Sequence, residues 1–340
     1  MGEDGGPLVS IVVPIYNEVE TIDELCRRLH SSLSQINDYE IVAVDDASTD
    51  GSWELLRSQA ARDLRIRVAR LSRNFGHQIA ISAGLDLARG DAVVVMDGDL
   101  QDPPEVIPSL LAKWREGYDV VYAVRTERGG EGWFKRASAA VFYRLLRVLA
   151  QVDIPAQAGD FRLLSRRAVD AIGAMPEQAR FLRGMAAWIG FRQIAVPYRR
   201  DPRYAGATKY PIRRMLRLAA DAVTSFSAAP LRLVSALGFT FVIFCGGYLV
   251  YVLYVHFLTD RTVEGWTTVV VLILLIGGIQ LLSLGIVGQY VARVFDEAKR
   301  RPLYLFDSVV EGDPFAENDE SGDGGARVPP RRAPFGPPTD

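Results

Sequence analysis

The chain has 340 residues with a formal net charge of −2, and 49% of its residues are hydrophobic. This composition excludes disorder over the whole length, and the near-neutral charge gives no reason to expect a nucleic-acid partner. Because only Cys26 and Cys245 are present, a disulfide framework and a cysteine-rich zinc site are excluded as well.

The first 200 residues alternate short β-type runs with amphipathic segments of helical length. Strands are predicted over residues 9–13, 40–44, 66–71, 92–96, 119–123 and 192–198. Helices are predicted near residues 19–35, 51–62, 77–88, 104–116, 133–150 and 165–188. Alternation of this kind is typical of βαβ units with right-handed crossovers. We therefore predict an α/β, Rossmann-like domain whose mostly parallel sheet is flanked by helices and binds its ligand at the carboxyl ends of the strands.

A basic segment follows this domain. Residues 199–232 hold eight Lys or Arg and two Asp, and their apolar residues recur at helical spacing. A basic amphipathic helix beside a membrane span is typical of a helix that lies on anionic lipid. We predict such an amphipathic interfacial helix within residues 201–232; a solvated helix docked on the preceding domain is the alternative.

Two long apolar runs, residues 233–258 and 266–291, contain no Asp, Glu, Lys or Arg. Each exceeds the roughly 20 residues that a helix needs to span a bilayer, which favours two transmembrane helices over a pair of buried core helices. Only residues 259–265 join them, so the two spans would form a hairpin. Basic residues flank the outer ends of this hairpin, which predicts that the α/β domain and both termini face the cytoplasm.

The expected organisation is a chain anchored in the cell membrane by two spans. Its parts are an N-terminal tail (1–7), a cytoplasmic α/β domain (8–200), the interfacial segment (201–232), the two spans (233–291), a cytoplasmic juxtamembrane segment (292–310) and a C-terminal tail (311–340). The C-terminal tail has six Pro and five Gly, a composition that cannot form a core, so we predict that it is disordered. Self-association into a homo-oligomer is left open.

The sharpest chemical feature is an apolar strand that ends abruptly in Asp97-Gly98-Asp99. Two carboxylates two residues apart at a strand end can share a hard divalent cation that bridges phosphate oxygens. Gly98 would let the backbone or a ligand approach closely. An aspartate-rich turn without a metal is the alternative, and the position at the end of a buried parallel strand favours the metal site.

Polar residues also follow two other predicted strands. Asp45 and Asp46 end one of them, and a hydroxyl at position 48 or 49 is expected to cap the next helix. Capping does not account for two adjacent aspartates, which could bind the base edge and ribose of a nucleotide. The first strand runs into Pro14, which is expected to end its pairing, and Tyr16, which can cover a base. Polar clusters at three strand ends predict a nucleoside-diphosphate site.

These motifs resemble those of glycosyltransferase family 2 enzymes of GT-A fold. The resemblance rests on VSIVVPIYNE, VDDASTDGS, SRNFGHQ, MDGDLQDPPE, GDFRL and YAGATKY, and it extends over residues 8–305. The likeness is greatest to the branch that transfers a sugar from a nucleotide donor to a polyprenyl phosphate. That branch includes undecaprenyl-phosphate glucosyltransferases, aminoarabinose transferases and dolichol-phosphate mannose synthases, and a C-terminal membrane hairpin is typical of its bacterial members.

The resemblance implies a role for each matching residue. Nucleoside-binding positions are matched by Pro14, Tyr16, Glu18 and Asp46, beside Asp45. The metal and diphosphate motif is matched by Asp97 and Asp99, with Gln101 close to it. The acidic residue that faces the sugar and the acceptor is matched by Asp160. The basic positions around the donor diphosphate and the lipid phosphate are matched by Arg125, Arg128, Arg203 and Lys209; in the last motif Thr208 replaces the usual Ser and keeps its hydroxyl.

The basic residues also make physical sense without the family. A donor diphosphate and a lipid phosphate have to approach each other, so fixed cations are needed to offset their repulsion. Arg125 follows a strand end, and Arg128 lies in a glycine-rich loop that we expect to close. His77, near one of the motifs, is expected to pack or to cap a helix rather than to titrate in the reaction.

The sequence thus predicts an inverting transfer of a hexose, with UDP-glucose as the leading donor, to a polyprenyl phosphate for cell-envelope glycans, with Mg²⁺ or Mn²⁺ held by Asp97 and Asp99. A phosphate monoester is mostly a dianion at pH 7, so the reaction needs no base, and Asp160 is expected to orient the sugar or the metal and to steady positive charge. A GDP-mannose-dependent enzyme, an aminoarabinose-type transferase and a non-catalytic nucleotide-sugar-binding scaffold are the alternatives. A processive polysaccharide synthase is disfavoured because two spans offer no wide channel.

Overall fold

The computed structural model describes residues 6–126, 158–199, 229–258 and 265–311. These residues belong to two units. The first comprises residues 6–126, 158–199 and 302–311, and the second comprises residues 229–258 and 265–301. After the second unit the chain therefore returns to the first.

The described part of the first unit contains one sheet of eight strands. The strands are β1 (Val9–Ile15), β2 (Tyr39–Asp45), β3 (Ile66–Leu71), β4 (Ala92–Val95), β5 (Val120–Arg125), β6 (Ala158–Ser165), β7 (Gln193–Tyr198) and β8 (Phe306–Val310). Their order across the sheet is β7-β5-β6-β4-β1-β2-β3-β8. The pairs β4–β1, β1–β2, β2–β3 and β5–β7 are parallel, whereas β6 is antiparallel to β4 and β5, and β8 is antiparallel to β3. The predicted α/β class with a mostly parallel sheet is confirmed.

Helices cover both faces of this sheet. They are α1 (Ile22–Ser32), α2 (Ser52–Arg62), α3 (His77–Leu87), α4 (Ile107–Arg115), α5 (Arg166–Ala174) and α6 (Leu182–Trp188). In α1 the buried residues Ile22, Leu25, Cys26 and Leu29 recur at three- and four-residue spacing, so one face is apolar and packs on the sheet. α1, α2 and α4 contribute to the core on one face, and α3, α5 and α6 to the core on the other.

Two strands were not predicted. β6 carries Asp160 and Arg162 in its centre, so it lacks the apolar alternation that marks a strand. Both side chains are buried because they bond to each other and to their neighbours. β8 lies within the predicted juxtamembrane segment 292–310, and only tertiary contacts reveal it. It covers the edge of β3, where Tyr304 and Phe306 are buried against the core and the Tyr304 hydroxyl donates to Asp86 at 2.6 Å.

Two boundary predictions are wrong. The single helix predicted near 165–188 is two helices, α5 and α6, because Pro176 follows the end of α5 and cannot continue it. Pro14 does not end the pairing of β1, which continues to Ile15. The N–H of Met96 donates to the carbonyl of Val12, so the backbone polar groups of Val12 face β4. Those of residue 14 face the same side, but the β1–β4 ladder ends before that residue. The missing N–H of Pro14 therefore breaks no ladder bond.

The second unit contains two long helices, α7 (Ala229–Leu258) and α8 (Trp266–Ala298), at the positions of the two predicted apolar runs. Among the described residues, one stretch, Leu275–Ala298, is long and apolar enough to cross a membrane; its most apolar part has a mean hydropathy of 1.6 and none of it is buried. A second span in α7 stays a prediction. The helix predicted near 133–150, the interfacial helix within 201–232 and almost all of both predicted tails lie outside the described residues.

Candidate active site

The loops that follow β1, β2 and β4 lie at one edge of the sheet, because these strands are parallel neighbours. Three non-glycine residues in these loops, Asn17, Ala47 and Leu100, have positive φ angles of 54°, 59° and 57°. Left-handed backbone at such residues costs on the order of 1–3 kcal/mol and is concentrated at binding and active sites. Backbone strain therefore coincides with the predicted ligand site.

The loops after β1 and β2 are bonded to each other. The backbone N–H of Asn17 donates to Ser48 Oγ at 2.9 Å, and that of Glu18 donates to Ser52 Oγ at 3.0 Å. Tyr16 beside them remains 48% exposed, as a residue that covers a base would be. The expected cap at residue 48 or 49 is wrong: α2 has Gly51 as its N-cap without a side-chain cap, because the Ser48 hydroxyl is used between the loops.

Asp45 is fully buried and bonded within its own loop. Its two carboxylate oxygens accept from the backbone N–H of Ser48 at 3.2 and 3.3 Å, and Arg70 Nε lies 3.3 Å away. Burial raises the pKa of Asp45 above its ordinary value, although Ser48 and Arg70 oppose this. Through these contacts Asp45 stabilises the conformation of the loop that follows β2.

Asp46 holds the start of α3 in place. Its carboxylate accepts from the backbone N–H of Phe75 at 2.7 Å and of Gly76 at 2.9 Å. Gly76 has a φ of 98°, a conformation that other residues rarely adopt, and it directly precedes His77, the first residue of α3. Burial raises the pKa of Asp46, with the two N–H donors opposing. The second strand end thereby sets the position of a histidine that belongs to the site.

Asp97 and Asp99 follow β4, with Gly98 packed closely against the end of β1. A Cβ on Gly98 would lie 2.6 Å from Ile15 Cδ1, so a larger residue here would require the Ile15 side chain to shift. Asp99 Oδ1 accepts from the backbone N–H of Gln101 at 3.1 Å, which shapes the turn. Burial, together with the charges of nearby carboxylates, raises the pKa of Asp97 to about 6. A cation at this position would relieve the repulsion among these groups.

The residues present fit a divalent cation in part. Asp97 Oδ1 is a buried oxygen that accepts no hydrogen bond from the residues described here. Within the same residues no group of three or more His, Cys, Asp and Glu side chains is arranged to hold a metal. Mg²⁺ typically takes one or two carboxylates and completes its coordination with substrate phosphates and water. Asp97 and Asp99 would supply such a pair.

Asp160 of β6 is surrounded by cationic and amide donors. Arg183 donates to it twice, from Nε to Oδ1 at 2.9 Å and from Nη2 to Oδ2 at 3.0 Å. Arg162 Nη2 lies 3.5 Å from Oδ1, and Gln78 Nε2 donates to Oδ2 at 3.2 Å. Burial would raise the pKa of Asp160, but the bonds from His77 and Arg183 and the charge of Arg162 outweigh it and hold the pKa well below the ordinary range. Asp160 is therefore a fixed negative charge.

His77 joins the two acidic groups. Its Nε2 lies 3.3 Å from Asp97 Oδ1 and 3.4 Å from Asp160 Oδ2. Burial lowers the pKa of His77, but the two carboxylates outweigh this effect and raise it. His77 does not cap α3; its position at the start of that helix places its side chain between the two carboxylates. That His77 does not titrate in the reaction stays a prediction.

Arg125, at the end of β5, is held by a buried pair. Its Nε donates to the Tyr198 hydroxyl at 3.2 Å, and its Nη2 lies 3.8 Å from Asp102 Oδ1. The Tyr198 hydroxyl also donates to Asp102, which is completely buried. Arg125 remains 30% exposed, so it can meet an anion. The other predicted basic residues, Arg128, Arg203 and Lys209, lie outside the described residues.

Around Asp160, sequence reasoning assigned no site role to His77, Gln78, Arg162 and Arg183. The first two belong to the SRNFGHQ motif, so the motif marked their location, although nothing local indicated which partners they meet. Arg183 carried no signal at all, because it stands 23 residues after Asp160 on a different element and meets it only in the folded chain.

Comparison with known proteins agrees with this geometry. The family model for Glycosyl transferase family 2 matches residues 10–173. An uncharacterized glycosyltransferase of Bacillus subtilis, YkcC, is 50% identical over 87% of this chain and 92% of its own length. The prophage bactoprenol glucosyl transferase homolog of Escherichia coli K12 is 37% identical over 88% of this chain and 99% of its own.

The solved structure of glucosyl-3-phosphoglycerate synthase from Mycobacterium tuberculosis with Mn²⁺, UDP and glucosyl-3-phosphoglycerate is more distant. It aligns with 64% of this chain and 78% of that chain at 22% identity and a TM-score of 0.45, too low a similarity to bear on the donor or metal of this protein. The relatives that match nearly end to end decide the family. The chain belongs to glycosyl transferase family 2, in its polyprenyl-phosphate glycosyltransferase branch, and is a glycosyltransferase.

Proposed function

We propose that the protein transfers a hexose, with UDP-glucose as the leading donor, to a polyprenyl phosphate, with inversion at the anomeric carbon. The observation that carries the proposal is the cluster of Asp97, which follows β4, Asp160 of β6 and His77 at the start of α3. Bactoprenol is a polyprenol, and the relatives named bactoprenol glucosyl transferase are similar to this chain over 87–90% of its length. This similarity supports a polyprenyl phosphate as the acceptor.

The geometry suits a single displacement. An oxygen of the lipid phosphate attacks the anomeric carbon, the bond from that carbon to the donor diphosphate breaks, and the nucleoside diphosphate leaves with the electron pair. A divalent cation held by Asp97 and Asp99 would supply positive charge to the departing diphosphate. Arg125 offers a further positive charge near these anions.

No proton has to move in this step. A phosphate monoester has a second pKa near 6 and reaches the site mostly as a dianion at pH 7. Asp160, whose pKa lies well below its ordinary range, would be a poor proton acceptor in any case. We assign Asp160 to orienting the sugar and to stabilising the positive charge that develops at the anomeric carbon.

A membrane location follows from the acceptor. The stretch Leu275–Ala298 of α8 supports one crossing. The described residues up to 199 and those from 302 onwards belong to the first unit, and the chain returns to its sheet at β8, which supports an even number of crossings. We therefore propose a two-span hairpin in the cell membrane with the first unit on the cytoplasmic side, where the flanking basic residues favour it.

The test is a donor panel. The detergent-solubilised protein is incubated with undecaprenyl phosphate and each of UDP-glucose, UDP-galactose, UDP-aminoarabinose and GDP-mannose, and the lipid product is identified by mass spectrometry. A hexosyl-phospholipid formed from UDP-glucose is the expected result. Product formed only from GDP-mannose, or only from UDP-aminoarabinose, would contradict UDP-glucose as the donor and identify that nucleotide sugar in its place. Binding of a nucleotide sugar without any turnover would contradict the enzyme and favour a scaffold.

A further inference from the structure

We propose that Arg183 is a positioning residue that sets the orientation of the Asp160 carboxylate for sugar transfer; this inference rests on the proposed function. The two bonds from its guanidinium, at 2.9 and 3.0 Å, reach one oxygen each. A paired contact of this kind fixes the plane of a carboxylate, which a single point charge cannot do.

Charge balance alone does not require Arg183. Arg162, which is 2% exposed, already places a buried positive charge beside Asp160. Its guanidinium donates mainly to backbone carbonyls, including those of Gly159 at 2.8 Å and Leu182 at 3.3 Å. Its nearest nitrogen lies 3.5 Å from the Asp160 carboxylate. Arg162 therefore balances the charge of Asp160, and of the two arginines only Arg183 makes the paired contact that fixes the plane of the carboxylate.

A second contact fixes the position of Arg183 relative to Asp160. Gln78, on α3, donates to Asp160 Oδ2 at 3.2 Å and accepts from the backbone N–H of Leu182 at 3.1 Å. Leu182 is the first residue of α6, and Arg183 is the second. The amide of Gln78 thus ties the start of α6 to the same carboxylate that the Arg183 guanidinium grips.

The oxygen that Arg183 Nη2 holds is also the oxygen of Asp160 that lies next to His77. Asp160 Oδ2 lies 3.4 Å from His77 Nε2, and the same nitrogen lies 3.3 Å from Asp97 Oδ1. A tilt of the Asp160 carboxylate would therefore move its negative charge relative to the Asp97 carboxylate. Displacements of about 1 Å at a reaction centre can cost on the order of 10²-fold in rate.

Arg183→Lys separates charge from geometry, because lysine keeps the positive charge and loses the paired bonds. We expect kcat to fall by about 10-fold to 10²-fold, with the KM for the nucleotide sugar changed less than threefold. The matched control is Arg167→Lys. Arg167 makes the same paired contact with Asp119, at 2.5 Å for both bonds, at the opposite end of β5 from Arg125. Its substitution should lower thermal stability and leave kcat unchanged.

A double-substitution cycle tests whether Arg183 acts through Asp160. In an Asp160→Asn background, Arg183→Lys should lower kcat by less than twofold further. Equal, multiplicative losses in both backgrounds would overturn the proposal, as would a folded Arg183→Lys protein with wild-type kcat. If Arg183→Lys does not fold, Gln78→Met takes its place and should lower kcat severalfold at constant KM; wild-type kcat in that variant would also overturn the proposal.

The two levels of inference fail separately in this experiment. Release of free nucleotide is measured both with undecaprenyl phosphate and with water as acceptor, alongside mass spectrometry of the lipid. Absence of a lipid product from the wild type contradicts the proposed function. The ratio of variant to wild-type turnover, taken for whichever acceptor is used, decides the role of Arg183.

Discussion

Replacing Asp160 with Asn removes the charge and keeps the size of the side chain, but one of the two acceptor oxygens becomes an NH₂ donor. The structure sets the cost in stability. Arg183 loses two charge-assisted bonds, and Arg162, whose side chain is 3% exposed, keeps its charge with its carboxylate partner gone. Breaking a buried pair in this way costs about 3–5 kcal/mol. We expect the lower end, about 3 kcal/mol, because Arg183 is 30% exposed and can turn to water.

The pH dependence follows from the lowered pKa of Asp160. Because the pKa in the folded protein lies below the unfolded value of about 3.9, the carboxylate stabilises the fold fully above that value and loses this effect as the pH falls through the folded pKa. The stability difference between wild type and Asp160→Asn should therefore be constant above the raised pKa of His77, and it should increase as the pH falls through that pKa, because His77 then gains a positive charge beside Asp160. It should shrink only in acid, as measured by denaturant unfolding in detergent.

The same argument predicts the rates. Asp160 stays ionised from pH 6 to 9, so Asp160→Asn should lower kcat by about 10²-fold at every pH in that range, without steepening the profile above pH 7. Turnover is measured against pH at saturating acceptor for both proteins. If wild-type activity rises on one ionisation that is missing from Asp160→Asn, and high pH rescues the variant, then Asp160 is a general base and our reasoning is refuted.

Three further predictions concern the metal, the C-terminus and the topology. Asp99→Asn and EDTA should each reduce turnover below about a tenth of wild type, a barrier increase of roughly 1.4 kcal/mol; retained activity with an intact fold would place the cation elsewhere. Deletion after Val310 should leave specific activity within twofold, whereas deletion after Arg301 removes β8 with the buried Tyr304 and should lower the thermal unfolding temperature by several degrees; equal effects would contradict a structural role for β8. Thr262→Cys should be labelled by a membrane-impermeant thiol reagent from the outer face, and protection there with labelling of the C-terminal tail would overturn the hairpin.

Local pattern determined much of the first unit. Strands such as Ala92–Val95 are uninterrupted apolar runs that are followed by turn residues. The apolar run and the turn residues after it were enough to predict where such a strand lies. The consequence that Asp46 and Asp97 reach the same edge also followed from sequence, because parallel strands bring their carboxyl ends together. The motifs around these residues were enough to indicate the family.

Only the tertiary structure decided which side chains complete the site. β6 was not recognisable, since Asp160 and Arg162 resemble loop residues until burial and pairing with elements distant in sequence are known. Likewise β8 is a strand because β3 offers an uncovered edge, a long-range condition that its five residues do not encode. Arg183 meets Asp160 because α6 packs beside β6, and no spacing along the chain announces that contact. Local sequence specifies the backbone propensity of each segment and the turn residues that end it, whereas ion pairing between elements distant in sequence depends on the packed fold.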